Sequence, residues 1–385
     1  MKILFGGTKK SRKQNSLIDE GMLGTFVILI GFGLVMIYSA SSHEAFSAGD
    51  SYFYLYRHLT YMILGLIVFA VAMQIPSKIW QIAAPWLVIF GILLLFMVLV
   101  PGIGKKVNGA QRWLAFAGFT FQPSELMKLF MVLYAADFAV RKSVELGDFQ
   151  KGFLPMLATL GLTGSLLLFE PDFGACFVIT SVAVFILFLG GLNWRFLTSL
   201  VLLSGCVFGV LIFFAPYRLA RVTSFMNPLD FLFGSGYQLS HSLFAFARGD
   251  WLGVGLGRSM EKLFYLPEAH NDFILAVIGE ELGFLGVVFT ITLFVVLVIK
   301  GFVIGTRAAV LERYFASLVA HGISIWIAAQ ALISMGVNLG LLPTKGLTLP
   351  FLSFGGSALL VNCLAIGILF RVDWENRQMM KGIVI

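Results

Sequence analysis

Charge is scarce in this chain of 385 residues. Asp, Glu, Lys and Arg together make up 12% of it, against 59% hydrophobic residues. Soluble domains carry about a quarter charged residues, and a soluble core cannot hide this much apolar surface. A soluble fold is therefore excluded for most of the chain, and lipid is its solvent. Cysteine is nearly absent too. Cys176, Cys206 and Cys363 lie far apart in apolar stretches and read as small hydrophobes, which excludes a disulfide framework. Histidine is as sparse: His43, His58, His241, His270 and His321 form no HxxxH or HExxH arrangement, which argues against a protein-built zinc site. Low-complexity tracts, short-period repeats and a sizeable soluble domain are missing as well.

Long apolar runs fill the space that these absences leave. A membrane-crossing helix needs about 20 apolar residues, and about ten segments qualify: 22–41, 56–76, 80–100, 124–140, 153–169, 173–192, 197–215, 273–299, 314–336 and 351–370. The expected fold is an all-α polytopic membrane protein. The first run follows a basic lead (Lys9, Lys10, Arg12, Lys13) and is longer than the roughly 7–15 residues of a secretory h-region, so it reads as a retained helix. The net charge of +7 is no nucleic-acid signature, because the basic residues flank apolar segments as topology signals and headgroup contacts do. Most of them, including Arg141, Lys142, Arg307, Arg313, Arg371 and Arg377, fall on one side. The five in the loop 216–272 (Arg218, Arg221, Arg248, Arg258, Lys262) weigh less because that loop is long. Both termini are thus expected in the cytoplasm. The chain divides into a basic tail (1–21), one transmembrane domain (22–370) with a large extracytoplasmic loop (216–272) between the seventh and eighth helices, and a cytoplasmic tail (371–385).

Acidic, glycine-rich and proline-rich stretches gather on the outer side, which points to one composite site there. In "QRWLAFAGFTFQPSELMKLF", Pro123 opens a helix, and Glu125 and Lys128 sit three apart on one face. They form an ion pair or, with Arg112, a cradle for an anionic headgroup; the two are compatible. In "EPDFG", Glu170 and Asp172 flank a tight turn, with Asp172 either capping the next helix or, at the outer edge, positioning a sugar hydroxyl or a cation. "GDWLGVGLGR" lacks the strand and the Lys-Ser/Thr ending of a phosphate loop, so its glycines are expected to reverse the chain. A short interfacial helix is expected around residues 239–247. In "LLPTKGLTLPFLSFGGS", Pro343 and Pro350 resist helix, and Lys345 offers a phosphate contact.

"LPEAHNDFILAVIGEELG" holds four carboxylates and His270. With a helix starting near Phe273, Glu280 and Glu281 lie about 12–13 Å along it. They are expected to pair with a neighbouring helix or to sit protonated. Gly279, Gly283 and Gly286 make a smooth strip for close helix packing. Asp272 stands at the mouth. It either caps the helix or, with a pKa lifted by burial, takes a proton from a hydroxyl on a lipid-anchored substrate; the residues alone leave both open.

Four stretches in order, "RWLAFAGFTFQPSELMKL", "EPDFGA", "YLPEAHNDFILAVIGEELG" and "GLLPTKGLTLPFLSFGGSALL", resemble the SEDS (shape, elongation, division and sporulation) family over roughly residues 20–371. The form of the last stretch is similar to the cell-division branch rather than the rod-elongation branch. His241, Phe354 and Ala358 depart from the usual pattern, where Gln, Tyr and a second Ser are common, and are expected to lie away from the acidic cluster. The resemblance implies a peptidoglycan glycosyltransferase that polymerises lipid II at the outer face of the bacterial cytoplasmic membrane during septal synthesis. The implied partners are a class B penicillin-binding protein that supplies transpeptidation and other division membrane proteins. It places the family's proposed catalytic aspartate on Asp272. Because the donor is α-linked and the polymer β-1,4, one in-line displacement suffices. It needs a base, Asp272, and positive charge for the leaving pyrophosphate: Arg112, Lys128 and Lys345 are the candidates, with a divalent cation (Mg or Mn) as the cofactor considered. Glu268 and His270 would tune or orient Asp272. Two other readings are a lipid II flippase, for which Asp137, Glu280 and Glu281 would line a path, and a division scaffold that recruits the synthase.

Overall fold

A computed structural model describes residues 18–47, 49–50, 52–107, 109–116, 119–214, 216–344 and 346–383. Its helices are α1 (Glu20–Ser47), α2 (Phe53–Gln74), α3 (Ser77–Leu99), α4 (Pro123–Arg141), α5 (Leu154–Phe169), α6 (Phe173–Leu189), α7 (Trp194–Phe213), α8 (Pro216–Met226), α9 (Tyr237–Gly249), α10 (Ile274–Val310), α11 (Tyr314–Asn338) and α12 (Gly356–Met380). Each of the ten expected spans falls on one of these, with α8 and α9 occupying the long loop. Among the described residues, seven helices are long and apolar enough to cross a membrane by length and composition. The connection between α3 and α4 adds a feature beyond the helical expectation. Here β1 (Gly104–Val107), β2 (Ala110–Phe116) and β3 (Phe119–Phe121) form a small antiparallel sheet in that order.

The core runs through α4, α6, α10, α11 and α12, whose buried faces are lined by residues such as Leu129, Ile186, Trp326 and Phe370. Alongside it, α2 packs on α12 where a small residue permits close approach: a Cβ on Gly356 would stand 2.4 Å from the Tyr61 ring. Both described ends of the chain meet at one end of the bundle, where the Asp19 N–H donates to Asp373 at 3.0 Å. There, Lys300 and Arg377 pair with Asp19 at 3.0 and 3.4 Å, and Arg371 and Arg313 pair with Glu375. The stretch 371–385, expected as a tail, is thus largely helix: α12 continues to Met380 and buries Asp373, Glu375 and Arg377. These basic residues are held by carboxylates, which a loop-charge reading does not anticipate. Residues 1–17 of the expected basic tail lie outside the described residues.

At the opposite end, α10 is broken. Gly283 adopts φ 66°, ψ −163°, a conformation open essentially to glycine alone. The loop after α9 fills the gap: the Val254 and Gly255 N–H groups donate to the Glu280 and Glu281 carbonyls at 2.9 and 3.0 Å, and Phe284 N–H donates to Asp250 O at 2.8 Å. The orphan groups of the break are thereby satisfied. The glycines of "GDWLGVGLGR" therefore splice a helix as well as reversing the chain, and Gly283 serves the break rather than a packing strip. Glu281 accepts from Ser39 Oγ of α1 at 2.7 Å and pairs with Lys262 at 2.7 Å. Glu280 accepts from Ser259 Oγ and, at 2.9 Å, from the Met260 N–H. From Asp19 to Ser39, α1 rises about 30 Å, the thickness of the hydrocarbon core. From Glu281 to Lys300, α10 rises about 28 Å. Glu280 and Glu281 thus stand about 30 Å from the Asp19 level, a separation equal to the thickness of a hydrocarbon core. Both are wholly buried, and the expected pairing with a neighbouring helix is met for Glu281 by α1, with the loop 249–262 supplying the remaining partners.

Candidate functional site

The segment 266–273 makes a tight turn at Glu268, whose φ is 57° and whose carbonyl accepts the N–H groups of Asn271 and Asp272 at 3.0 and 3.1 Å. The turn delivers Asp272 to the mouth of α10 without making it a cap. Phe273 holds the N-cap position and no side chain there bonds the first turn. Instead, Asn338 of α11 reaches across. Its Oδ1 accepts the Ala276 N–H at 3.2 Å, and its Nδ2 donates to Asp272 O at 2.8 Å.

The half-buried Asp272 side chain lines a cavity of about 670 Å³ at this end of the bundle. The cavity floor and walls come from α2 (Arg57, Tyr61), the sheet (Arg112, Trp113, Thr120), the start of α4 (Gln122, Glu125), α8 and α9 (Arg221, Gln238), the Glu268–Phe273 turn and the stretch 344–358. Burial first, and then the Glu268 charge, push the Asp272 carboxyl from the ordinary 3.8 up to about 7; Arg112, His270 and Arg221 pull the other way. A group poised there exchanges protons readily near neutral pH. Opposite it, Arg112 is tied to the turn after α5: its Nε donates to Glu170 O at 3.2 Å and its Nη2 to Pro171 O. Arg57 Nη2 lies 3.5 Å from Thr120 Oγ1. The cavity thus combines one raised carboxyl with three guanidinium groups, a set suited to deprotonating a hydroxyl while facing an anion.

Several candidate residues fall elsewhere. Lys128 is 2% exposed, with Nζ 2.8 Å from Glu125 and 2.9 Å from Gln330 Oε1, so it sits behind Glu125 and does not line the cavity. Among the described residues, the cations on the cavity wall are Arg57, Arg112 and Arg221. Two of these the sequence reading passed over as ligands: Arg57, a charge inside an apolar helix, is itself a signal for function, and Arg221 was counted only as a loop charge. Lys345 lies outside the described residues. His270 is engaged by α1, α2 and the stretch before α12. Its Nδ1 is 3.2 Å from Glu44 Oε2, its ring packs on Tyr54 and Phe354, and its carbonyl accepts the Phe354 N–H. It orients the turn through the backbone. Glu268 lines the cavity and is held by the Asn271 amide. Asp172 caps α6 through Ala175 N–H at 3.2 Å and accepts from Ser124 Oγ at 2.8 Å. Glu170 is wholly buried, with neither carboxyl oxygen hydrogen-bonded. Burial and the adjacent Asp172 push its carboxyl up to about 9, so it contributes its backbone carbonyl rather than a charge.

A family model described as "Cell cycle protein", which groups FtsW, RodA and SpoVE, matches residues 20–378. The chain belongs to this FtsW/RodA/SpoVE family. It is 52% identical, over 98% of this chain and 95% of the relative, to a "Probable peptidoglycan glycosyltransferase FtsW" of Aromatoleum aromaticum. A Burkholderia thailandensis protein of the same name is 47% identical over 98% of this chain and 83% of its own. Among solved structures, a chain from "Structural coordination of polymerization and crosslinking by a peptidoglycan synthase complex" superposes with a TM-score of 0.77 at 27% identity, covering 94% of this chain and 99% of that one. RodA of Thermus thermophilus shares the fold, with a TM-score of 0.67 at 24% identity over 94% and 97% of the two chains. This FtsW/RodA/SpoVE chain is a multi-pass membrane protein.

Two of the three departures from the usual family pattern are not remote from the acidic cluster, contrary to expectation. Phe354 and Ala358 line the same cavity as Asp272, because the stretch 344–358 folds back over the Asp272 turn. A Cβ on Gly346 would stand 3.0 Å from Asp272 Oδ2. His241 lies on α9 and meets Glu261 at 2.7 Å.

Proposed function

We propose that this protein is a peptidoglycan glycosyltransferase that polymerises lipid II during septal wall synthesis, with its cavity at the extracytoplasmic face. The observation that carries the reading is the shared cavity, in which a carboxyl with a pKa near 7 faces Arg57, Arg112 and Arg221. Asp272 takes the proton of the incoming GlcNAc 4-hydroxyl. The hydroxyl oxygen attacks the anomeric carbon of the donor MurNAc, the bond to the pyrophosphate breaks with inversion, and the guanidinium groups hold the departing charge. Among the described residues no three His, Cys, Asp or Glu side chains converge as a metal site. Arg57, Arg112 and Arg221 are the groups suited to facing a pyrophosphate there, with or without a divalent cation carried by the substrate.

The names of its relatives and the synthase-complex neighbour support this reading, including a class B penicillin-binding protein as transpeptidase partner. The flippase alternative draws less support from the side chains it would need. Asp137 pairs with Arg141 at 2.9 Å, and Glu280 and Glu281 are engaged by the loop 250–262.

The experiment is Asp272→Asn, purified with its partner and given lipid II. Loss of polymer with folding and partner binding intact is expected. Polymer at a rate near wild type would sink the assignment, and headgroup translocation without polymerisation in vesicles would favour the flippase.

A further inference from the structure

The first turn of a helix exposes N–H groups that need acceptors, and an aspartate just upstream is among the best suppliers. Asp272 stands there and does not serve. Asn338, the last residue of α11 and wholly buried, supplies the side-chain acceptor instead: Oδ1 takes the Ala276 N–H at 3.2 Å, sharing it with the Phe273 carbonyl at 3.0 Å. Its two N–H donors are used as well, one on Asp272 O and one on Ser334 O, both at 2.8 Å. The Asn338 carbonyl, otherwise an orphan at a helix end, accepts from Ser242 Oγ of α9 at 2.7 Å. The amide thus uses both of its donors, on two carbonyls, and its oxygen as the acceptor of an N–H. A carboxylate in its place would face two carbonyl oxygens, and a hydroxyl could not span the three partners.

We propose that Asn338 is a positioning residue for the reaction: it caps α10 from outside, so the Asp272 carboxylate stays in the cavity instead of turning onto its own helix. Its catalytic meaning rests on Asp272 being the base, whereas the exchange of caps does not. The charged groups that act on Asp272 are Glu268 and His270 from its own turn, Arg112 from β2 and Arg221 from α8.

The test is hydrogen–deuterium exchange over residues 274–277 in the purified full chain, compared among wild type, Asp272→Ala, Asn338→Ala and the double variant. In the wild-type background, Asp272→Ala is expected to leave exchange unchanged. In the Asn338→Ala background, where the carboxylate is free to take over the vacated position, the same change is expected to accelerate exchange about fivefold, the worth of one capping bond. Acceleration already in the wild-type background, or none in either, overturns the proposal. Asn338→Ser provides a second background should the alanine variant fail to accumulate. With the partner and lipid II, Asn338→Ala is expected to lower kcat about tenfold or more at unchanged KM. The acid limb of its pH–rate profile is also expected to move to lower pH, because a carboxylate that accepts N–H bonds ionises more easily. A fall in kcat with the limb unmoved marks a merely structural role and overturns positioning. Should Asp272→Asn still polymerise, the base assignment fails while the exchange result still decides whether Asn338 is the cap.

Discussion

Replacing Asp272 by Asn should make the protein more stable at pH 8 while abolishing polymer synthesis. The Asp272 carboxyl has a pKa of about 7 in the fold against an ordinary 3.8. A raised carboxyl pKa means that the fold favours the protonated form. Its contribution is complete below 3.8 and is lost as pH rises to about 7, above which the ionised group weighs on the fold. At about 1.4 kcal/mol per pH unit, the gap between these values sets a ceiling of about 4 kcal/mol. Partial exposure to water in the cavity brings the expected effect to about 2 kcal/mol. Asparagine keeps the shape and never ionises, so its advantage should be about a third of its full value at pH 5 and reach a plateau above about pH 7. Thermal unfolding of the purified pair of proteins from pH 5 to 8 measures this directly and needs no substrate. An Asn variant no more stable than wild type at pH 8, or a pH-independent difference, would refute the electrostatic account of the cavity.

Three further outcomes follow from the same geometry. Polymerisation should fail below pH 6 and rise through about pH 7 as Asp272 ionises, and Glu268→Gln should shift that limb to lower pH by removing a neighbouring negative charge; a pH–rate profile with lipid II checks both. Gly283→Ala should cost about 3–6 kcal/mol, because a Cβ would stand 2.4 Å from Gly253 N and the hydrogen bonds splicing α10 would part; a variant that melts with wild type contradicts the splice. Lys128→Ala should destabilise by about 3–5 kcal/mol, since it strands the buried Glu125 carboxylate. The double change Glu125→Gln/Lys128→Met should recover much of this in the same melting assay.

The helices were legible because lipid demands long apolar runs whatever the tertiary contacts, and each run has become a helix. The sheet was not, because its strands are short, interrupted by glycine and carry Lys105, Lys106, Gln111 and Arg112 without a clear apolar alternation. Lys128 shows the limit of spacing rules. Its pairing with Glu125 can be read three residues apart, but the Gln330 that completes its burial comes from α11, far along the chain. Asn338 was equally hidden. An asparagine ahead of "LGLLP" reads as a helix stop, and only the crossing of α11 over the mouth of α10 makes it another helix's cap. That crossing also frees Asp272 from the cap, one of the two roles the residues alone left open.

The two polar levels on α1, at Asp19 and Ser39, have a consequence for the bilayer. Each is locked to α10, through Lys300 and Glu281 respectively, so two helices tied at both ends fix the two levels about 30 Å apart, the thickness of a hydrocarbon core. A bilayer of another thickness must then adapt to the protein by compressing, stretching or tilting it as a body. The cavity accordingly rides at a fixed height above the acyl chains. For the lipid-carried substrate proposed above, that height becomes part of the recognition, set by helix length before any side chain touches the sugar.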